Sequence, residues 1–386
     1  MKFSVPMLDL GLEYRYMKDE IDGALKKCLE HQKWILGPEV KELEERIAGY
    51  LGVKHCVGVS SGTEALVLSL RALAIKTKGK EYFDRSDLII TSPFSFTATG
   101  DAILRAGATP VFVDIDPGTF NIDARKAREY LEGGASGVVG IVPVHLYGQA
   151  CDMGSLKTIA EKHGLFIVED VAQAFGGGCR GKRLGSLGHA GAFSFFPSKN
   201  LGGFGDGGMI STNDTELAEL AGMLLRHGGK DKYNVDHVGY NARLDTIQAA
   251  VLLAKMKHID EFNEKRRGIA SLYGRELEGA AGITLPGRLP GADHVYHQYT
   301  VRVGGGKRDA LQGWLGEKGI ATMVYYPVAL HKMRVFDGRM AISDNLNEAE
   351  KAPREVLSLP VGPLMERGAA EKVAGEIRAC LSSISG

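Results

Sequence analysis

Two residues of this chain, Lys199 and Asp170, have local surroundings that favour chemistry. Asp170 ends the apolar run Phe166–Asp170, and Lys199 lies between an aromatic run and a glycine-rich loop. A lysine flanked in this way is partly desolvated, which lowers its pKa and frees an amine for Schiff-base formation. An acid at the carboxyl end of a buried strand lies where open α/β sheets collect their ligands. A solvated loop lysine and a helix-capping or surface-loop aspartate are the alternative interpretations.

The segment Ser-Ser-Gly-Thr-Glu-Ala-Leu at residues 60–66 follows an apolar run and begins a predicted helix. Backbone N–H groups at a helix N-terminus, with the Thr63 hydroxyl, can hold an anion such as a phosphate. An ordinary Ser/Thr helix cap is the more frequent explanation of such a segment alone. Together, however, a phosphate cradle, an aspartate at a strand end and a lysine 29 residues later are the three fixed contacts that pyridoxal 5′-phosphate (PLP) needs.

The elements that must position these residues alternate between short β-rich runs and helical patterns from about residue 51 to residue 211. This alternation predicts parallel strands joined by crossover helices, that is, an open α/β sheet. The helices predicted between the strands include 63–73 and 153–163, the second of which ends at Gly164. The predicted strands are 56–60, 88–91, 109–114, 137–144, 165–169, 190–195 and 208–211.

The C-terminal part of the chain shows a different pattern. A proline-free segment, 244–277, predicts a long helix with a break near Gly268, and a Pro/Gly cluster at 286–291 follows it. The elements predicted after this cluster are a strand at 298–303, a helix at 308–319, a strand at 322–326 and a helix at 366–381. We therefore expect an N-terminal arm and large PLP-binding α/β domain over 1–256, and a small C-terminal α+β domain over 257–386.

Composition excludes several classes of protein. The chain has 386 residues, and its 47 basic residues balance 47 acidic ones, so no global field attracts nucleic acid or an anionic membrane. No apolar run reaches about 18 residues, and charged residues interrupt any N-terminal signal sequence. The five cysteines are scattered and form no C-x-x-C pair, which favours reduced thiols in a cytoplasmic protein. His294 and His297 are predicted on opposite faces, so we expect them to be core or substrate contacts and expect no metal site.

Two glycine patterns, at residues 176–181 and 203–208, match the dinucleotide-binding string G-x-G-x-x-G. A basic loop follows the first pattern and a strand-like run follows the second, whereas a pyrophosphate site needs a strand before it and a helix after it. These patterns therefore do not support an NAD-dependent oxidoreductase.

Ten short segments, distributed over nearly the whole sequence, carry a resemblance to one known family. They are Ile-Leu-Gly-Pro-Glu (35–39), Ser-Gly-Thr (61–63), Pro-Val-His-Leu-Tyr-Gly (143–148), Glu-Asp (169–170), Ala-Gln-Ala (172–174), Phe-Phe-Pro-Ser-Lys (195–199), Gly-Asp-Gly-Gly (205–208), Tyr-Asn-Ala-Arg-Leu-Asp (240–245), Tyr-His-Gln-Tyr (296–299) and Tyr-Pro-Val-Ala-Leu-His (326–331). In these segments the chain resembles the DegT/DnrJ/EryC1/StrS family of PLP-dependent sugar aminotransferases, which have PLP fold type I, the aspartate-aminotransferase-like fold.

Roles for individual residues follow from this resemblance. It implies that Lys199 forms the Schiff base with PLP and that Asp170 pairs with the pyridinium nitrogen. It implies further cofactor contacts through the ring of Phe96, the amide of Gln173 near the phenolic oxygen, and a phosphate site made by Gly62, Thr63 and Ser194. It also implies that Asn241 reaches the phosphate of the neighbouring subunit, and hence a homodimer with shared active sites.

Substrate contacts are expected at three further residues. Tyr326 and His331 are suggested as sugar contacts by the resemblance alone. Arg226 belongs to a cluster of basic residues that extends to residue 232, and this cluster fits either a nucleotide diphosphate or a solvated loop.

The resemblance implies conversion of a nucleotide-linked keto sugar to an amino sugar, with glutamate as donor, ping-pong kinetics, and a place in polysaccharide or antibiotic-sugar biosynthesis. It favours amination at C3 over C4. Two alternatives are a sugar dehydratase of the same family, in which histidine replaces the Schiff-base lysine, and a non-catalytic regulatory protein.

Overall fold

The fold was analysed in a computed structural model that describes residues 3–231 and 233–383. Its helices are α1 Leu10–Tyr16, α2 Lys18–His31, α3 Pro38–Leu51, α4 Gly62–Lys78, α5 Ala98–Arg105, α6 Ala124–Glu132, α7 Met153–His163, α8 Thr215–Leu224, α9 Thr246–Met256, α10 Ile259–Glu276, α11 Arg308–Glu317, α12 Asn347–Glu355 and α13 Arg367–Ser383. Its strands are β1 His55–Val59, β2 Leu88–Thr91, β3 Thr109–Phe112, β4 Val138–Val142, β5 Phe166–Asp170, β6 Gly178–Cys179, β7 Lys182–Arg183, β8 Ala190–Ser194, β9 Gly208–Thr212, β10 Ile283–Thr284, β11 Ala292–Asp293, β12 Tyr299–Val303, β13 Ala341–Ile342 and β14 Val356–Leu359.

The centre of the molecule is an eight-stranded sheet with the order β1-β9-β8-β5-β4-β2-β3-β13. Every pair in it is parallel except the two that involve β9. All strands but β9 therefore end at the same edge of the sheet. This arrangement confirms the predicted open, mostly parallel α/β sheet, and it gathers the segments that follow β1, β2, β4, β5 and β8 along one edge.

Helices cover both faces of this sheet, which is why its strands are continuous apolar runs. Leu66, Leu70 and Leu73 of α4 pack on one face, in a core that includes Val168 and Ile210. The opposite core contains Leu156 and Ile159 of α7 together with Ile141 and Ile167 of the strands. Because β5 lies between these two cores, every one of its residues, including Glu169 and Asp170, is buried.

The two helices expected between the strands are confirmed, and their ends have local causes. The side chain of Ser61 caps α4 by accepting a hydrogen bond from the Glu64 amide, and α4 ends at Gly79 in the left-handed conformation. Helix α7 has the predicted bounds and ends at Gly164, whose φ of 65° is costly for residues with a side chain. The α4 cap fixes the turn that connects β1 to the first helical amides.

The C-terminal part of the chain has its own three-stranded sheet, β10-β12-β14, whose strand pairs are antiparallel. Helices α10, α11 and α13 pack on it through a core that includes Tyr273, Leu311 and Ile377. Strand β13 of the same region instead pairs with β3 of the central sheet. The domain boundary at residues 256 and 257 stays a prediction.

The helix predicted over residues 244–277 is two helices, α9 and α10, which separate at Lys257 and His258. The side chains of Lys257 and His258 both bind Glu20 of α2, at 2.8 and 2.7 Å. Gly268, where the break was predicted, lies inside α10 with open space around it. The predicted position was wrong because a solvent-facing glycine is tolerated within a helix, while the contact with α2 lies at the actual break.

The strand predicted at residues 322–326 is also wrong. Only Met323 pairs there, in an isolated bridge with Ser358. Side chains of a strand alternate between its two faces, whereas Tyr325 and Tyr326 line the same cavity. The backbone therefore leaves the extended sheet geometry at this point.

Among the described residues, the structure contains no helix with both the length and the apolar character needed to span a bilayer.

Candidate active site

A cavity of about 460 Å³ lies at the edge of the central sheet where the parallel strands end. The wall of this cavity is formed by the five loops that follow β1, β2, β4, β5 and β8, and by residues from the C-terminal part of the chain. The lining residues are Ser61, Gly62, Thr63, Leu66, Ser95, Phe96, Ala98, Thr99, Val144, Asp170, Ala172, Gln173, Ser194, Phe196, Ser198, Lys199, Asp206, His297, Gln298, Tyr325 and Tyr326. The structure thus brings most of the predicted cofactor residues into one place.

The turn between β1 and α4 combines a helix cap with a candidate anion site. The Ser61 hydroxyl accepts from the Glu64 amide at 3.1 Å, so this serine is the cap that the sequence allowed. The first-turn amides of a helix have no intrahelical acceptors, and Gly62 and Thr63 line the cavity at this turn. A Cβ on Gly62 would lie 2.6 Å from the Cβ of Ser194. Glycine therefore allows the helix start to approach the end of β8.

Asp170 is buried at the end of β5. Its Oδ2 accepts a hydrogen bond from the Thr99 hydroxyl at 2.8 Å, and its Oδ1 accepts from the Ala172 amide at 3.1 Å. Burial raises the pKa of this carboxyl, and the hydrogen bonds from Thr99 and Ala172 oppose that rise. A cationic group in the cavity would stabilise the ionised form.

Lys199 follows β8 and faces the same cavity. Its amine forms no hydrogen bond or ion pair among the described residues. Burial lowers its pKa to about 8, although the negative charge of Asp170 acts in the opposite direction. The uncharged fraction of this amine near neutral pH is therefore much larger than for an ordinary lysine, and the uncharged amine is the form that acts as a nucleophile or a base.

Three further side chains form one side of the cavity. Gln173 accepts from the Tyr147 amide at 2.8 Å and donates from its own amide to the Tyr326 hydroxyl at 2.8 Å. The rings of Phe96 and Tyr326 lie 6.1 Å apart at an angle of 40°. The orientation of the Gln173 amide is thus fixed at both ends, while the Phe96 ring is 56% exposed.

Thr99 was not assigned a role from the sequence, and His297 was expected only as a core or substrate contact. Thr99 lies three residues after Phe96 in the turn that begins α5, and this helical spacing is the signal that could have identified it. Asn200 donates its amide hydrogens to Asn263 and Val295, so its oxygen accepts from Nδ1 of His297 at 3.1 Å. His297 Nε2 is then left as an acceptor. Burial, together with the nearby cations Lys199 and Arg266, lowers the pKa of His297.

The remaining predicted residues lie outside the cavity of their own chain. Asn241 is exposed, and its backbone pairs with Arg226 in an isolated bridge. The guanidinium of Arg226 donates to the Gly222 carbonyl at 2.8 Å. His331 is buried against Glu350, with 3.1 Å between its Nε2 and the carboxylate. The roles predicted for these three residues stay predictions.

A separate group of potential metal ligands comprises Cys28, His31 and Glu39, whose ligand atoms lie within 4.8 Å of one another. His31 Nδ1 accepts from the Lys33 amide at 3.0 Å, and Nε2 lies 2.9 Å from Glu39. The proton of a neutral ring is therefore on Nε2, directed at the carboxylate. Metal binding through Nε2 would require the opposite tautomer, so this cluster is better described as a hydrogen-bonded group.

This chain is similar to known proteins over nearly its whole length. The model of the DegT/DnrJ/EryC1/StrS aminotransferase family matches residues 15–378. A protein of Geobacillus stearothermophilus named "Pleiotropic regulatory protein" is 46% identical over 97% of this chain and 98% of its own. The dTDP-3-amino-3,4,6-trideoxy-alpha-D-glucose transaminase of Streptomyces venezuelae is 40% identical over 97% of this chain and 95% of its own. A crystal structure titled "S. venezuelae DesV in complex with ketimine intermediate" superposes with a TM-score of 0.92 at 39% identity, over 99% of both chains.

Proposed function

Because this chain belongs to the DegT/DnrJ/EryC1/StrS aminotransferase family, we propose that it transfers an amino group to C3 of a nucleotide-linked keto sugar. Membership confirms the predicted family, the predicted fold and the dependence on PLP. The C3 position is supported by the name of the Streptomyces venezuelae relative, which specifies a 3-amino sugar. Glutamate as the amino donor, and a role in polysaccharide or antibiotic-sugar synthesis, are parts of the same proposal.

The observation that carries the proposal is that the Lys199 amine and the Asp170 carboxylate line one cavity with a helix N-terminus. Each feature fits one part of PLP. An amine with a lowered pKa suits the aldehyde, a buried carboxylate suits the ring nitrogen, and the Gly62–Thr63 turn with Ser194 suits the phosphate. When bound, PLP supplies an aldehyde that condenses with amines and a ring that accepts the electron pair of a broken C–H bond.

The chain's own residues bind, orient and transfer protons around that group. We assign Lys199 as the base that removes the Cα proton of the amino donor and would deliver it to the cofactor within the same half-reaction. The same two transfers would run in reverse when the keto sugar is aminated. Thr99 and the Ala172 amide orient Asp170. The negative charge of Asp170 would keep the ring nitrogen of PLP protonated. Gln173 would lie near the phenolic oxygen of PLP, and Phe96 would provide an aromatic face for the ring of PLP. Their contacts with the rest of the cavity support these roles.

We propose that the active enzyme is a homodimer in which Asn241 of each chain contacts the phosphate of the other. The exposure of Asn241, away from the cavity of its own chain, supports this arrangement. Arg226 lies beside Asn241, and we propose that, like Asn241, it reaches the active site of the other chain and contacts the nucleotide diphosphate there. Tyr326 lines the cavity and is the better placed of the two proposed sugar contacts, because His331 is engaged with Glu350. A cytoplasmic location, with nucleic acid and membrane excluded as partners, completes the proposal.

The two alternatives predict different chemistry at Lys199. A dehydratase of this family has histidine at the Schiff-base position. This chain has a lysine there, whose amine forms no hydrogen bond or ion pair within the part of the chain that the structure describes. A regulatory function is the alternative suggested by the name of the Geobacillus stearothermophilus relative. The retained lysine–aspartate pair favours catalysis.

The test is a panel of keto-sugar nucleotides given to enzyme that has first been treated with glutamate. Glutamate alone should release one 2-oxoglutarate per active site, and a 3-keto sugar nucleotide should then return the enzyme to its starting form with loss of the keto group. Borohydride reduction before glutamate should attach the cofactor to Lys199, as peptide mapping will show. Attachment at another lysine, or turnover of 4-keto sugars only, would contradict the cofactor or the C3 assignment respectively.

A further inference from the structure

Asn241 is presented by a loop, which we call the strap and of which the structure describes residues 226–231 and 233–241. It leaves the end of α8 at Arg226 and returns at Asn241, where the two residues pair through their backbones. Little of the strap is packed in the core, since Val235 and Val238 are 57% and 60% exposed. Its returning end must nevertheless be held in place if Asn241 is to reach a second chain.

Arg71 of α4 holds the returning end of the strap from inside. The side chain is completely buried, and its guanidinium donates to the Tyr240 hydroxyl at 2.7 Å and to the Val238 carbonyl at 2.9 Å. It also donates to Glu81 Oε2 at 2.9 Å and lies 3.6 Å from the centre of the Tyr82 ring. Several directed contacts of one rigid guanidinium thus fix residues 238–240.

Glu81 completes this arrangement from the connector that follows α4. One carboxylate oxygen lies 2.7 Å from His237 Nδ1, and the other accepts from both Arg71 and the Val238 amide, the latter at 3.3 Å. A single carboxylate therefore binds the strap directly and also neutralises the buried guanidinium. We refer to Arg71 and Glu81 together as the strap anchor.

The other side of Asn241 is tied to the cavity. The Ser60 amide donates to the Ala242 carbonyl at 2.9 Å, and Val59 pairs with Arg243 in an isolated bridge. Asn241 therefore lies between a residue held by the anchor and a residue held by the β1–α4 turn. Because Arg71 belongs to the helix that this turn begins, Arg71 and the phosphate cradle are both parts of α4.

We propose that Arg71 and Glu81 are positioning residues that set where Asn241 is presented, and that they act on the active site of the second copy rather than on their own. This inference rests on the proposed dimer with shared sites. A substitution in the anchor of one chain should therefore weaken cofactor binding in the active site of the other chain. This outcome distinguishes positioning from a general loss of stability.

The experiment compares two heterodimers that carry the same two substitutions in different arrangements, purified through separate affinity tags. In the first, one chain carries both Lys199→Ala and Glu81→Gln and the other is unchanged. In the second, one chain carries Lys199→Ala and the other carries Glu81→Gln. Each heterodimer has a single Lys199, so borohydride-fixed cofactor measures the occupancy of one defined site as PLP is titrated.

In the first heterodimer the working Lys199 faces a strap with an altered anchor, and in the second it faces a strap with an intact anchor. Glutamine offers a single oxygen acceptor to His237, Val238 and Arg71, so the strap should be held less firmly. We expect half-occupancy at roughly tenfold more PLP in the first heterodimer than in the second, as for loss of a hydrogen bond to a charged group.

Tyr240→Phe in the same two arrangements provides a milder test, since it removes only the hydroxyl contacted by Arg71. Glu132→Gln is the matched control, because Glu132 forms an exposed ion pair with Lys162 at 2.7 Å. Equal occupancy in the two Glu81→Gln heterodimers, whether both are normal or both are weakened, would overturn the anchor. If Asn241→Ala shows no difference between the two arrangements either, the shared-site dimer itself is wrong.

Discussion

Glu169 and Asp170 are consecutive buried acids on β5, yet their surroundings are opposite in character. Glu169 accepts hydrogen bonds from the amides of Gly185, Leu187 and Gly188 at 2.7–2.9 Å. It also accepts from His145 Nε2 at 3.1 Å, because Nδ1 of that ring accepts from the Cys151 amide. Four donors thus saturate Glu169.

Asp170 has two donors, Thr99 and the Ala172 amide, and its carboxylate lines the cavity. Because successive side chains of a strand point to opposite faces, one acid stabilises the fold and its neighbour is available to a ligand. Burial of a carboxylate therefore does not by itself reveal its function. The number of donors that it already has is more informative.

The largest effect is expected from Asp170→Asn, which removes the charge and keeps the shape. Without a negative partner the ring nitrogen of PLP loses its proton, so kcat should fall by about 10²- to 10⁴-fold while the melting temperature changes little. Steady-state kinetics and thermal unfolding check both parts. Asp101→Asn, at a partly exposed position of α5, is the control. Activity within a few-fold of the parent would remove the distinction drawn between the two acids.

Glu169→Gln should show the reverse pattern. Glutamine would place an amide group among donors that now point at a carboxylate, so the free energy of unfolding should fall by about 2–4 kcal/mol. Turnover per folded molecule should remain within a few-fold. Denaturant titration combined with active-site counting tests this. A large loss of turnover with unchanged stability would show that Glu169, like Asp170, acts in catalysis and not in stabilising the fold.

Thr99→Val tests the effect of donor number on Asp170, because it removes one of the two hydrogen-bond donors of this carboxylate. The Thr99 hydroxyl opposes the rise in the pKa of this carboxyl, so its loss should raise that pKa further. The acid side of the kcat/KM profile should move to higher pH, with a roughly tenfold loss at its optimum. Thr158→Val, which removes an exposed hydroxyl on α7, should leave the profile in place. An unchanged acid side would show that Thr99 does not tune Asp170.

Lys199→Met provides the smallest effect, on the stability of the cofactor-free protein. Burial lowers the pKa of Lys199 to about 8, against 10.5 for an ordinary lysine. Below about pH 8 the folded state carries a buried charge that disfavours folding, and this cost is relieved as the pH rises to 10.5. The methionine variant should therefore be the more stable protein at pH 7, and the difference in melting temperature should shrink by pH 10. A difference that grows with pH would contradict the lowered pKa.

The same contrast shows what could be predicted from the sequence. Asp170 and Lys199 were identifiable because each lies next to a strongly apolar or aromatic run, and strand ends are set by short-range patterns. The cap at Ser61 and the end of α7 at Gly164 were identifiable for the same reason. The break after α9 and the path of Tyr325 and Tyr326 were not, since contacts with α2 and with the cavity override local propensity at those positions.

Local sequence patterns were enough to predict the alternation of strands and helices, the location of the reactive residues at strand ends and, through the motifs, the family. The partners of those reactive residues depend instead on the three-dimensional fold. Thr99 and Asp170 are 71 residues apart in the chain, and His145 and Glu169 are 24 apart. The pairing of such groups depends on how the sheet brings distant loops to one edge, and no local pattern encodes that distance.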